Sequence, residues 1–104
     1  MQTETGRLDR EYAPPMVSHD EFAAAQERVR RLARQPAASE LLALYGLFKQ
    51  ATVGDVAGKR PGLLDMKGRA KFDAWQQRKG ESREVCEREY VQLVAKLEGK
   101  YGTR

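Results

Sequence analysis

The apolar residues of this chain recur every three to four positions in four segments and nowhere alternate over a useful length. That period gathers apolar side chains on one face of a helix, whereas a half-buried strand needs a period of two. β-branched residues are sparse as well, so no strands are expected. The first segment has a sharp start. Ser18 is placed to cap the backbone N–H of Glu21, Glu21 to reach back to Ser18, and Val17 and Phe22 to staple across this capping box. Phe22, Ala25, Val29 and Leu32 then share a face, and the helix is expected to end before Pro36. A second helix starts near Ala38 or Ser39, runs through Leu41, Leu42, Leu44, Tyr45, Phe48 and Ala51, and stops near Val53 with Gly54 as a left-handed terminator. Asp65 caps a third over residues 66 to about 79, and Gly80 closes it. Ser82 caps a fourth, whose apolar stripe is Cys86, Tyr90, Val94, Leu97 and Tyr101. The expected fold class is all-α: a four-helix bundle with one long connection.

With 104 residues, the chain has room for one domain and one core. It buries only about two-thirds of its unfolded surface, too little for an enclosed catalytic chamber. Residues 1–17 are polar, carry Pro14-Pro15 and show no periodicity, so a flexible tail is expected ahead of a folded domain at 18–104. No run approaches the roughly 18 apolar residues of a membrane span, so no stable membrane insertion is expected. The N-terminal residues also lack the basic-then-apolar order of a secretory signal. The single cysteine, Cys86, cannot form an internal disulfide and has no metal-ligand spacing around it, which fits a reducing compartment, the cytoplasm.

The net charge of +4 is unevenly placed. Residues 1–17 sum to −1 and residues 18–44 and 80–104 to zero, while residues 45–79 hold eight basic and three acidic side chains, or +5. The excess implies either an anionic partner at this segment or a solvated basic face. The segment includes GDVAGKRPGLLD, a loop longer than most connections and of the kind that often carries function.

Catalytic chemistry is poorly provided for. His19 is the only histidine, so any serine or cysteine nucleophile would depend on it, and it falls in the first turn of the first helix, where an exposed surface role is expected. No phosphate-binding GxxxxGK[ST] loop, dinucleotide-binding glycine pattern or metal-ligand set is present. No enzyme activity and no cofactor or metal are expected. What remains is a set of cations and phenols at helical spacing. Tyr45 and Lys49 are i, i+4 on the second helix, Lys67 and Lys71 are i, i+4 on the third, Arg30 projects from the first and Tyr90 from the fourth. Should they converge, a polyanion would relieve their mutual repulsion and an aromatic ring would offer a stacking surface, a combination suited to a nucleotide. Leu41, Leu42, Leu44, Leu47, Phe48, Leu63, Leu64 and Met66 are generous for the size, and some could line a groove for an aliphatic chain rather than the core.

Two stretches are specific. YGLFKQATVGD at 45–55 and RPGLLDMKGRAKFDAW at 60–75 resemble the motifs Y-x2-Y-K-Q-A-T-x-G-D and R-P-G-x2-D-x-K-G-K-A-K-W-x-A-W of the acyl-CoA-binding protein family. With KG-S-E and the closing Y-x3-V-x2-L-x3-YG, the similarity runs without a gap from about residue 22 to 102. The resemblance implies an up-down-down-up bundle in which the long loop is an overhand connection between two parallel helices. It implies non-catalytic binding, sequestration and intracellular transport of medium- to long-chain fatty acyl-CoA, by a monomer in the cytoplasm. Basic and tyrosine side chains would hold the 3′-phosphate, a ring would stack on adenine and an apolar groove would take the acyl chain. Carried over by position, Arg30 stands for a usual lysine, Tyr45 and Lys49 for the phosphate-contacting pair, Lys67 and Lys71 for the third-helix lysines and Tyr90 for the ligand-facing tyrosine. Gly46 and Leu47 are expected to give backbone or rim contacts. Phe48 replaces a frequent tyrosine and keeps a stacking ring without the hydroxyl, a loss of about 0.5–1.5 kcal/mol. Phe72 replaces a frequent tryptophan. A basic nucleic-acid-binding module or a helical protein-interaction domain is the alternative. The former lacks an aromatic single-strand platform or a recognition-helix motif, so no nucleic-acid partner is expected.

Overall fold

In the computed structural model, which describes residues 16–104, the start signals act locally as the sequence implies. Ser18 Oγ accepts the N–H of Glu21 at 3.0 Å and Glu21 Oε1 accepts that of Ser18 at 2.9 Å, opening α1 (His19–Val29). Before α2 (Ala38–Thr52), Ala37 has no side chain to cap with, and Glu40 reaches back to accept its N–H at 2.8 Å. Asp65 Oδ1 accepts from Gly68 at 2.9 Å at the start of α3 (Met66–Gln76), and Ser82 Oγ from Val85 at 3.2 Å at the start of α4 (Arg83–Tyr101). Each bond satisfies one of the donors that a helix N-terminus leaves unpaired. Residues 1–15, most of the expected tail, lie outside the described residues.

Two helix ends come earlier than the sequence implies. α1 stops at Val29, well short of Pro36, because residues 31–33 pair with the C-terminal residues instead. Ala33 donates to the Gly102 carbonyl at 2.8 Å and Arg104 to that of Arg31 at 2.7 Å, an isolated antiparallel bridge that buries Leu32 without helix. At the end of α3, residues 77–80 form turns rather than helix, and Gly80 reverses the chain at φ +88°.

Cross-contacts give the helix directions. Phe22 meets Tyr90 (ring centres 5.2 Å apart) and, farther along both helices, Arg28 meets Glu98 (3.0 Å), so α1 and α4 run together. Near the start of α2, Glu40 meets Lys100 at 2.8 Å, and near its end Gln50 meets the Glu81 carbonyl at 3.1 Å, so α2 opposes α4. Tyr45 faces Lys71, Gly46 faces Ala74 and Lys49 faces Trp75, so α2 and α3 are parallel. The path is up-down-down-up. Residues 53–65 return the chain along the α2–α3 pair, which two parallel neighbours require. That connection is tied down by Trp75 Nε1 donating to the Gly54 carbonyl (2.7 Å), by Arg60 gripping both oxygens of Asp73 (2.9 and 2.6 Å), and by Asp55, whose Oδ1 accepts from Gln50 and the N–H of Gly80.

The core is Phe22, Ala25, Leu44, Leu47, Ala51, Cys86, Tyr90, Val94 and Leu97 from α1, α2 and α4, with Leu32. α3 contributes no fully buried residue and packs on α2 alone. Its approach depends on Gly46, where an added Cβ would sit 2.5 Å from the Ala74 carbonyl oxygen.

Two outcomes follow from these contacts. Gly46→Ala forces backbone apart, so urea denaturation is expected to show a loss of about 1–3 kcal/mol. Hydrogen bonds from Lys100, Tyr101 and the Ala37 N–H, in that order, hold the Glu40 carboxyl at about 2, below its ordinary 4.5. Such a depressed group stabilises the fold fully above pH 4.5 and progressively less as pH falls toward 2. Asp55, Asp73 and Glu98 are lowered too, so their contributions also fade on acidification. Thermal unfolding at stepped pH is expected to show a flat plateau near neutrality and a decline in acid, which Glu40→Gln makes shallower from a lower plateau.

Candidate functional site

Two hollows adjoin along α2. The first, of about 300 Å³, lies where the end of α1 meets α2 and α4: Val29 and Arg30 line it from the end of α1, Pro36 from the turn that follows, Leu41, Leu44, Tyr45 and Phe48 from α2, and Tyr90 from α4. Two of its rings rest on the core ring of Phe22, Phe48 at 6.3 Å and 26° and Tyr90 edge-on at 5.2 Å. Burial raises the Tyr90 phenol above its ordinary value, against an opposing pull from Arg30, so it is a neutral donor at physiological pH. The second hollow, of about 310 Å³, lies in the groove between α2 and α3 and is almost wholly apolar: Ala38, Leu41, Leu42, Met66 and Ala70, with the stems of Lys67 and Lys71. Leu41 belongs to both. Lys71 spans the boundary, its Nζ 5.4 Å from the centre of the Tyr45 ring.

Of the residues singled out in the sequence, the fold therefore brings Arg30, Tyr45, Phe48 and Tyr90 to one hollow and Lys67 and Lys71 to its neighbour. Three others sit differently. Leu47 is in the core at 2% exposure, and Gly46 is the buried contact with Ala74, so neither lines a hollow. They follow Tyr45 by two residues and one, and at about 100° per residue they turn away from its face. Lys49 stays near Tyr45 along the helix but borders neither hollow; its ammonium lies 4.9 Å from the centre of the Trp75 ring. Arg30 is exposed and ion-paired with Glu27 at 3.4 Å. Phe72, the other aromatic departure, is half-buried on α3.

Sequence reasoning passed over several lining residues. Val29, Pro36 and Ala38 carry no chemistry of their own, and only the α1–α2 turn brings them to the hollows. Arg34 and Arg104 join Arg30 around a further basic hollow of about 300 Å³ behind Pro36. Arg104 is fastened there by its side chain donating to the Arg30 carbonyl at 2.7 Å.

A family model described as acyl CoA binding protein matches residues 19–94. The chain belongs to the acyl-CoA-binding protein family. It is 50% identical over 86 residues to the acyl-CoA-binding protein homolog of Drosophila melanogaster, covering 83% of this chain and 99% of that one. It is 45% identical over 82 residues to the acyl-CoA-binding protein of Saccharomyces cerevisiae, covering 79% and 94%. Among solved structures, that of the acyl-CoA-binding protein from Moniliophthora perniciosa superposes with a TM-score of 0.79 at 39% identity, covering 86% of this chain and 89% of that one. The solution structure of the yeast acyl coenzyme A binding protein gives 0.65 at 45% identity, covering 84% and 100%.

In this acyl-CoA-binding protein family member, the single tryptophan reports on the contact between α2 and α3 at Lys49. Lys49→Ala removes the cation from the Trp75 face at a stability cost of about 0.5–1 kcal/mol. A shift in the Trp75 emission spectrum with a fall of about 2–8 °C in the unfolding midpoint is the expected result.

Proposed function

We propose that the protein binds medium- to long-chain fatty acyl-CoA thioesters reversibly, and that it sequesters and carries them in the cytoplasm as a monomer without converting them. The observation that carries this reading is the pairing of a basic, aromatic hollow with an apolar groove that shares Leu41 and is bridged by Lys71. A ligand with a charged nucleotide head and a fatty tail matches both halves at once. Adenine stacks on the rings of Phe48 and Tyr45, while Arg30, Tyr45, Lys71 and Tyr90 meet the phosphates. Lys67 borders the path of the tail, and Lys49 swings from Trp75 toward a phosphate when the ligand is present. Gly46 and Leu47 serve the packing behind the site.

Two features support the absence of conversion. Cys86 is fully buried and donates to Glu81 Oε1 at 3.3 Å, and desolvation, followed by that bond, pushes its thiol up to about 12. It is therefore not a thiolate nucleophile at neutral pH. His19 stands exposed in the first turn of α1. A nucleic-acid-binding role is not favoured, since part of the basic excess is already engaged by Arg60 with Asp73 and by Arg78 with Glu81 and Glu89.

Calorimetric titration with CoA esters of increasing length tests the proposal. Each sequestered methylene contributes roughly 0.8 kcal/mol, so two more carbons are expected to tighten binding by roughly tenfold until the groove is full. Lys71→Ala removes one charge-assisted contact and is expected to weaken binding by about 10–100-fold at every chain length. Free CoA binding as tightly as its palmitoyl ester, or release of free thiol on long incubation, would overturn the reading.

A further inference from the structure

The most exposed large apolar residues in the described part of the chain fall together. Leu63 is 79% exposed, Leu64 is fully exposed and Met66 is 78% exposed. Leu63 and Leu64 occupy the two central positions of a tight turn closed by the Asp65 N–H donating to the Gly62 carbonyl at 3.0 Å. Those corners usually hold Gly, Pro, Asn, Asp or Ser, which suit the turn's dihedrals or hydrogen-bond to its backbone, and leucine does neither. The turn is also stiff: Pro61 precedes it, and Asp65 is held immediately after it as the cap of α3. Two leucines on a stiff turn form a fixed wedge rather than a loose end.

The surroundings of the wedge are cationic. Residues 59–71 contain Lys59, Arg60, Lys67, Arg69 and Lys71 against one acid, Asp65. Arg60 is engaged by Asp73. Lys67 and Lys71 line the same hollow as Met66, which follows Leu64 by two residues, so Lys67 lies three residues beyond that leucine and Lys71 one helical turn further on. An apolar tip bordered by cations complements an anionic lipid surface, where leucines enter the interface and lysines meet headgroups. A second copy of this chain is a poor occupant, since apposing two such tips would bring two basic borders together.

We propose that the Leu63–Leu64 turn, bordered by Lys67 and Lys71, docks reversibly on anionic membrane surfaces and presents the mouth of the α2–α3 groove to the lipid. This docking is peripheral and distinct from insertion. It stands apart from the carrier reading, because it is measured without any acyl-CoA.

Cosedimentation with phosphatidylserine–phosphatidylcholine vesicles, and with phosphatidylcholine alone, tests it. Expected are binding to the anionic vesicles that weakens with added salt, little binding to the neutral ones, and a loss of roughly tenfold in the double variant L63S/L64S. Serine adds no charge, so repulsion cannot produce that loss. The variant should retain the far-UV circular dichroism and the octanoyl-CoA affinity of the parent. No preference for anionic vesicles, or equal binding by the variant, overturns the proposal. So does a loss of octanoyl-CoA affinity in L63S/L64S, which would assign the leucines to the ligand site. A self-association in sedimentation equilibrium that the variant abolishes assigns the turn to a second copy and overturns it equally.

Discussion

The missing side chain at Gly46 sets the distance between two parallel helices, and the groove exists at that distance. With any Cβ there, the Ala74 carbonyl would have to retreat from its 2.5 Å position and α3 would tilt or lift. Because α3 packs on no other helix, only its polar links to the connection, Trp75 with Gly54 and Arg60 with Asp73, would oppose that shift. The apolar hollow between Leu41 and Met66, the seat of Lys71 over Tyr45 and that of Trp75 beneath Lys49 all depend on this approach. A residue that carries no chemistry therefore positions most of the chemistry.

Stability and function are divided among the helices. α1, α2 and α4 enclose the buried core, while α3 is fastened by a few polar links and by its close approach to α2. Such an element opens at lower free energy than the core it rests on. That is a useful property for the wall of a groove proposed to admit and release an acyl chain. Fully burying α3 would strengthen the domain but would close the hollow it forms with α2.

Features set within four residues were legible in the sequence. The Ser18–Glu21 box, the Asp65 and Ser82 caps and the Gly54 terminator appear where their chemistry puts them, and Gly80 reverses the chain although α3 has already ended at Gln76. The premature end of α1 was not legible. Leu32 fits the helical face of Phe22 and Val29, but backbone pairing with residues 102–104, some seventy positions away, holds it in a bridge. Tyr45 and Lys49 illustrate the same limit within the site. Their spacing places them on one face, but which ring each cation meets depends on α3, whose register only the folded chain supplies. Leu47 was different: its angular offset from Tyr45 already turned it inward, and adjacency within the motif concealed this.

Without a ligand, cations brought together this way must be tolerated, and aromatic faces provide the means. Lys49 rests over Trp75 and Lys71 over Tyr45, at 4.9 and 5.4 Å from the ring centres. Each contact stabilises by about 0.5–1 kcal/mol where exposed, enough to bias a rotamer but not to hold it against competition. A charge-assisted hydrogen bond to a phosphate oxygen is worth about 1.5–3 kcal/mol. The difference runs in one direction: in the complex proposed here, an arriving phosphate would draw each ammonium off its ring and leave the face of Tyr45 free to stack. On the binding mode proposed here, the ring contacts that settle these cations are therefore the same ones whose release would prepare the site to bind.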